Sequence, residues 1–163
     1  MTKDDALEQT ARLGAGSRIT IRTTAVCPND TLTTVKVRNF EIVIDEPPNN
    51  HGTDLGPQPL EYFLASLAGC TNVIVHKICK DRGFTLLDME VDVAGVLDPR
   101  GIFGREKVKV PFPEVRLTVR GKTRNTPEDM AILREELAWR CPVSVIIRES
   151  GSEVKETWEI EYL

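Results

Sequence analysis

Two cysteines carry the chemistry open to this chain. Cys70 closes the apolar run Glu61-Tyr-Phe-Leu-Ala-Ser-Leu-Ala-Gly-Cys70, and Cys141 opens Cys141-Pro-Val-Ser144 directly after a helix-like segment. A thiol within a helix, with a second thiol placed where it could meet it, is the equipment of two-cysteine redox chemistry. Two buried thiols are also ordinary core residues, so the surroundings decide. A mid-helix cysteine gains little from the helix dipole, which acts in the terminal turns, and burial alone makes a thiol inert. Cys70 therefore needs a cation, and Arg22 and Arg38, on strand-like segments, are the candidates. Cys141 either opens a short helix at Pro142, whose N-terminus would lower its pKa, or caps a kink. Glu61 precedes Cys70 by nine positions, about 14 Å along a straight helix and on the opposite face. The two could share a site only if Glu61 arrived from an antiparallel partner helix of a symmetric dimer. Its other reading is a first-turn glutamate that favours the helix dipole.

The remaining polar candidates carry less. Cys79 lies half a helical rotation from Cys70 and reads as core or edge, while Cys27 sits in a turn. Without a Cys-x-x-Cys pair a structural zinc site is not expected. His51 falls in a loop and His76 about 240° around the helix from Cys70, so they form no metal set and no cofactor is called for. A Ser-His-Asp reading lacks a nucleophile elbow, and Gly14-Ala-Gly16 is too short for a phosphate loop.

The elements that must position these residues follow from local pattern. Arg18 to Ala25 alternates as a strand, and Val35 to Val37 and Phe40 to Ile44 give two more short runs. A breaker-rich loop, Glu46 to Gly56, leads to Pro57 and Pro59, which suit a helix start, and Gly83 suits its end. Between them Tyr62 to Val75 is apolar or small nearly all round, which predicts burial on every side; Ala65, Ala68 and Gly69 would let a second backbone approach. Leu87 to Val96 and Glu114 to Arg120 alternate as strands. Thr126-Pro-Glu-Asp129 starts a helix running to about Trp139. Val143 to Ile147 is ambiguous between a helical turn, favoured by Pro142, and a strand. Thr157 to Tyr162 is a final strand. The order is βββ-α-ββ-α(α)-β, an α+β chain.

Composition bounds the function. The 163 residues carry a net charge of -4 with 40 % hydrophobic and 28 % charged residues, ordinary for one globular domain and unfavourable for nucleic-acid or anionic-membrane surfaces. The run Tyr62 to Val75 is too short to span a bilayer. Met1 to Gly16 has no apolar secretory core. A polar leader at 1–17, a single domain over 18–163 and a cytoplasmic location are expected.

Gly56-Pro-Gln-Pro-Leu-Glu-Tyr-Phe-Leu-Ala-Ser-Leu-Ala-Gly-Cys-Thr71, Gly95-Val-Leu-Asp-Pro-Arg-Gly101 and Cys141-Pro-Val-Ser144 together resemble the OsmC/Ohr family of thiol peroxidases. The resemblance implies an OsmC-like fold of curved antiparallel sheets around a long central helix, in an intertwined homodimer with sites at the subunit interface. It further implies reduction of organic hydroperoxides, with Cys70 peroxidatic, Cys141 resolving, Glu61 as the carboxylate that orients an arginine, and an external dithiol as reductant. The glycine-rich arginine motif of the family is replaced here by Val26-Cys-Pro-Asn-Asp30, which leaves Arg22 and Arg38 as candidates. The apolar surroundings (Tyr62, Phe63, Leu64, Leu67, with Phe103 and Phe112 from the loop at 98–113) suit alkyl or lipid peroxides. The rival reading is a binding or redox-sensing protein on the same scaffold, without turnover.

Overall fold

Alternation and turn chemistry build the first sheet. In the computed structural model, which describes residues 18–163, β1 (Thr24–Val26), β2 (Thr33–Val37) and β3 (Phe40–Ile44) pair antiparallel in that order. The leader at 1–17 and Gly14-Ala-Gly16 lie outside the described residues. Of the strand expected over Arg18 to Ala25, only the end at Thr24 and Ala25 is paired, and β1 adds Val26. The cause is the partner: β2 ends at Val37, one residue beyond the Thr24–Lys36 pair, so residues 18–22 have no neighbour to bond. Ile19 and Ile21 are accordingly exposed.

Beyond β3 the chain turns around the buried carboxylate of Asp45. It accepts the backbone N–H groups of Glu46 (2.8 Å), Thr53 (3.1 Å) and Leu55 (3.2 Å) and the Thr53 hydroxyl (2.5 Å). These bonds, that from the Thr53 side chain foremost, hold its pKa well below the usual carboxylate range. The loop closes so tightly that a Cβ on Gly52 would stand 1.7 Å from the Glu46 carbonyl oxygen. The described residues up to Pro57 form one compact unit, and residues 58–163 form a second.

In the second unit, α1 (Pro59–Arg82) begins with a capping box between Gln58 and Glu61 and ends at Gly83, at φ 73°, whose N–H bonds the Cys79 carbonyl. Leu67, Thr71, Val75 and Ile78 make its buried stripe. The expectation of burial on every side does not hold within this chain: Ala65, Ser66, Gly69, Asn72, Val73 and His76 are exposed. Small and apolar composition permits close packing but cannot supply the partner. α1 spans the 24 residues expected between the Pro57/Pro59 start and the Gly83 stop, and by length and composition alone it could cross a membrane, a property that core helices share.

β4 (Leu87–Val96) pairs antiparallel with β5 (Glu114–Thr123), but β6 (Glu153–Tyr162) pairs with β5 in parallel. The expected antiparallel arrangement is thus corrected at this edge. The reason is the connection: α2 (Pro127–Arg140) and α3 (Pro142–Glu149) form a crossover that returns the chain to the same end of the sheet. Thr126 and Asp129 exchange N-cap hydrogen bonds at 3.1 Å each, and Val143 to Ile147 is helical. Val115, Leu117 and Val119 of β5 join Leu67, Val75, Ile78, Leu133, Leu137 and Ile147 in one core. The mixed α+β architecture therefore sets α1 against the α2–α3 junction.

Candidate functional site

The junction of α2 and α3 is a single residue, Cys141, which is at once the C-cap of one helix and the N-cap of the next. Its N–H donates to the Leu137 carbonyl and its carbonyl accepts from Val145, each at 3.0 Å. Pro142 suits this corner because it lacks the N–H that a first helical turn leaves unpaired. With both backbone groups fixed, the side chain is aimed at α1. The Cys141 sulfur lies 3.0 Å from that of Cys70, and both cysteines are free thiols. A disulfide needs about 2.05 Å, so bond formation requires a movement on the order of 1 Å.

Cys141 is fully buried, whereas Cys70 is partly exposed. Burial, and then the hydrogen bond with Cys70, pushes the Cys141 thiol up to about 11. The Ser144 N–H, which donates to its sulfur at 3.5 Å, pulls the other way. The lowering expected at a helix N-terminus is thus present but outweighed by desolvation. Cys79 is buried in the core with its pKa raised by burial, and Cys27 is exposed on the first unit, its sulfur accepting from the Thr33 hydroxyl at 3.7 Å.

The other sequence candidates stand elsewhere. Glu61 is exposed and accepts the Gln58 backbone N–H at 2.8 Å, the helix-start role. Arg38 sits in the β2–β3 turn at φ 56° with its guanidinium 5.0 Å over the Phe40 ring. Arg22 is exposed ahead of β1. Both arginines belong to the first unit, and the two thiols and Glu61 to the second. The structure brings together Cys70 and Cys141, and within the second unit it does not bring Glu61 to them.

Sequence reasoning missed the polar groups around Cys141. Arg148 donates through Nε to the Ser144 hydroxyl at 3.3 Å and pairs with Glu156, which also accepts the Trp158 indole N–H at 3.2 Å. The i,i+4 spacing of Ser144 and Arg148 was a usable signal once α3 is a helix; the Glu156 contact is tertiary and left none. On the other side of the junction, buried Glu136 bonds Arg82 (2.6 Å) and Arg140 (2.7 Å), and Arg140 reaches Asp81 at 2.5 Å. Arg140 first, then Arg82, holds the Glu136 carboxyl below its ordinary range.

An apolar cavity of about 280 Å³ opens beside α3, lined by Leu60, Phe63, Phe112 and Ile147 among others. Phe63 and Phe112 stack at 5.6 Å, and a Cβ on Gly95 would strike the Phe112 ring at 2.6 Å. Phe112 therefore joins the wall of this cavity, which neither Cys70 nor Cys141 lines. Phe103 does not: it is exposed, with the Arg105 guanidinium 5.4 Å over its ring. Among the described residues no three His, Cys, Asp or Glu side chains are placed to hold a metal ion.

A family model described as OsmC-like protein matches residues 52–157. The chain is similar to an OsmC like protein from Mycoplasma pneumoniae (TM-score 0.75, 18% identity, 90% of this chain and 100% of that one). It is similar to a hypothetical protein from Aquifex aeolicus (TM-score 0.71, 17% identity, 90% and 99%). It is also similar to an organic hydroperoxide resistance protein from Elizabethkingia anophelis (TM-score 0.62, 17% identity, 91% and 99%). At such identities the likeness carries the fold alone. No curated protein matches the sequence.

Proposed function

Because the chain belongs to the OsmC-like protein family, we propose that it reduces organic hydroperoxides with its own thiols. The observation that carries this reading is the 3.0 Å contact between the Cys70 and Cys141 sulfurs. The Cys70 thiolate attacks the distal peroxide oxygen, the O–O bond breaks, and the leaving alkoxide takes a proton to depart as an alcohol. Cys70 becomes a sulfenic acid. Cys141 then attacks that sulfur, its proton leaves with the hydroxide as water, and a disulfide forms. An external dithiol restores both thiols and is itself oxidised.

Exposure supports this division of roles. The partly exposed Cys70 can meet a peroxide, while the buried Cys141 meets only Cys70. The apolar residues that precede Cys70 on α1, Phe63, Leu64 and Leu67, favour alkyl or lipid hydroperoxides over hydrogen peroxide. A second copy of the chain would cover the exposed α1 face at Ala65, Gly69 and Val73, and an antiparallel α1 would bring Glu61 of the partner subunit toward Cys70. Arg22 and Arg38 remain the sequence candidates for the cation that Cys70 requires. Residues 18–163 would act as one domain in the cytoplasm, where thiols are kept reduced, with no role at nucleic acid or membrane.

The test is peroxide consumption with dithiothreitol as reductant. Cumene hydroperoxide is consumed by the native chain, faster than hydrogen peroxide, and Cys70→Ser abolishes it. Arg22→Met or Arg38→Met, whichever lowers the rate of the first step, identifies the activating cation. Consumption that survives Cys70→Ser rejects the mechanism. Oxidation of Cys70 without turnover would favour the redox-sensing alternative, which the absence of the glycine-rich arginine motif supports.

A further inference from the structure

A buried thiol that must act as a nucleophile needs help to shed its proton, and the groups around Cys141 divide sharply in their ability to give it. The groups tied by hydrogen bonds to Cys141 or to the residues beside it are Cys70 from α1, Arg140 and Glu136 from α2 with Asp81 and Arg82 at the end of α1, Arg148 from α3, and Glu156 from β6. Arg140 adjoins Cys141 in sequence, but its guanidinium is engaged by Glu136 and Asp81. Arg148 points the other way. Its Nε donates to the hydroxyl of Ser144 at 3.3 Å, and the backbone N–H of the same serine donates to the Cys141 sulfur at 3.5 Å. Ser144 is 2 % exposed and the Arg148 side chain 34 % exposed, so the guanidinium reaches a water-poor hydroxyl from the solvent side, and its charge acts across the short, poorly hydrated stretch between Ser144 and the sulfur.

The far end of the guanidinium is pinned as well. Arg148 pairs with Glu156, whose side chain is 14 % exposed and which is itself held by the Trp158 indole N–H. The pair is thereby oriented, with its positive end on Ser144 and its negative end toward β6. A planar guanidinium offers donors in both directions at once.

We propose that Arg148, anchored by Glu156 and acting through Ser144, is the positioning cation that makes Cys141 a competent attacking thiolate. The proposal rests on Cys70 and Cys141 being the redox pair, and it assigns a role to α3 and β6 that is separate from the activation of Cys70. Removing the cation lowers the thiolate fraction of Cys141. A thiol whose pKa rises by one carries about tenfold less thiolate at fixed pH, softened to about three- to fourfold in rate because a more basic sulfur is the better nucleophile.

The test needs no peroxide. In a Cys27→Ser background, dithiobis-nitrobenzoate converts Cys70 to its mixed disulfide and releases one thionitrobenzoate. Cys141 then attacks the Cys70 sulfur, forms the protein disulfide and expels the second thionitrobenzoate, which is followed by absorbance across pH. Arg148→Gln slows the second release about three- to fourfold at neutral pH and moves its pH profile upward, leaving the first release unchanged. Arg148→Lys, which keeps the charge, restores the rate to within about a factor of two. An unchanged second release in Arg148→Gln overturns the proposal, as does equal slowing by Gln and Lys, which would mark packing rather than charge. A native chain without a second release overturns it too. Normal second release in a chain that consumes no peroxide rejects the peroxidase reading and leaves this role standing.

Discussion

At the scale of single residues, burial divides the labour between the two sulfurs. Cys141 is raised to about 11 by burial first and by Cys70 second, so it rests protonated at neutral pH. The sign for kinetics follows directly. Each pH unit gained below that value raises its thiolate fraction about tenfold, so the step from sulfenic acid to disulfide quickens as pH rises. Cys141→Ser removes the step and leaves a Cys70 sulfenic acid that dimedone traps; a rate that ignores pH would contradict this. One residue beyond Cys70, the fully buried Thr71 hydroxyl has no hydrogen-bond partner among the described residues. Thr71→Val, of similar shape, removes that desolvated oxygen and should stabilise the fold by about 1 kcal/mol in urea titration. The two cysteines were legible because their motifs are local. Ser144 and Arg148 offered only their i,i+4 spacing, and Glu156 offered nothing, because it joins them only after α3 turns back into β6.

At the scale of elements, local signals and tertiary partners part company in the same way. Pro57, Pro59 and Gly83, the Thr126 cap and the alternation of Leu87 to Val96 mark α1, α2 and β4 in the sequence, and the structure follows them. The segment before Thr24 alternates equally well yet stays unpaired, because β2 is short. The parallel β5–β6 pairing depends on the path through two helices at 124–152, which no local pattern encodes. The Asp45 loop gives a measurable consequence at this scale. Its carboxyl titrates lower in the folded chain than in the unfolded one, so it contributes stability that is present above the unfolded value, about 3.9. That contribution is lost as pH falls through the folded value. Asp45→Asn should lower stability at neutral pH and flatten its decline in acid, as read by thermal unfolding across pH; parallel curves for the two proteins would refute the assignment.

At the scale of the molecule, the proposed dimer rests on α1. Leu67, Thr71, Val75 and Ile78 are buried, but the opposite side offers Ala65, Gly69 and Val73 to solvent, a surface apolar enough to favour a partner. A Cβ on Gly69 meets nothing within 4 Å among the described residues. Gly69→Leu should therefore leave the fold intact by circular dichroism while blocking close helix approach, and sedimentation should show a dimer for the native chain and a monomer for the variant. A native monomer would remove the route by which Glu61 of the partner subunit serves Cys70. The central claim is that the contacting thiols form a peroxide-driven redox pair. Peptide mass spectrometry of the reduced protein after one equivalent of cumene hydroperoxide tests it most directly. A Cys70–Cys141 disulfide formed within the turnover time and absent in Cys70→Ser is the predicted result, and thiols left unchanged by the peroxide would contradict it.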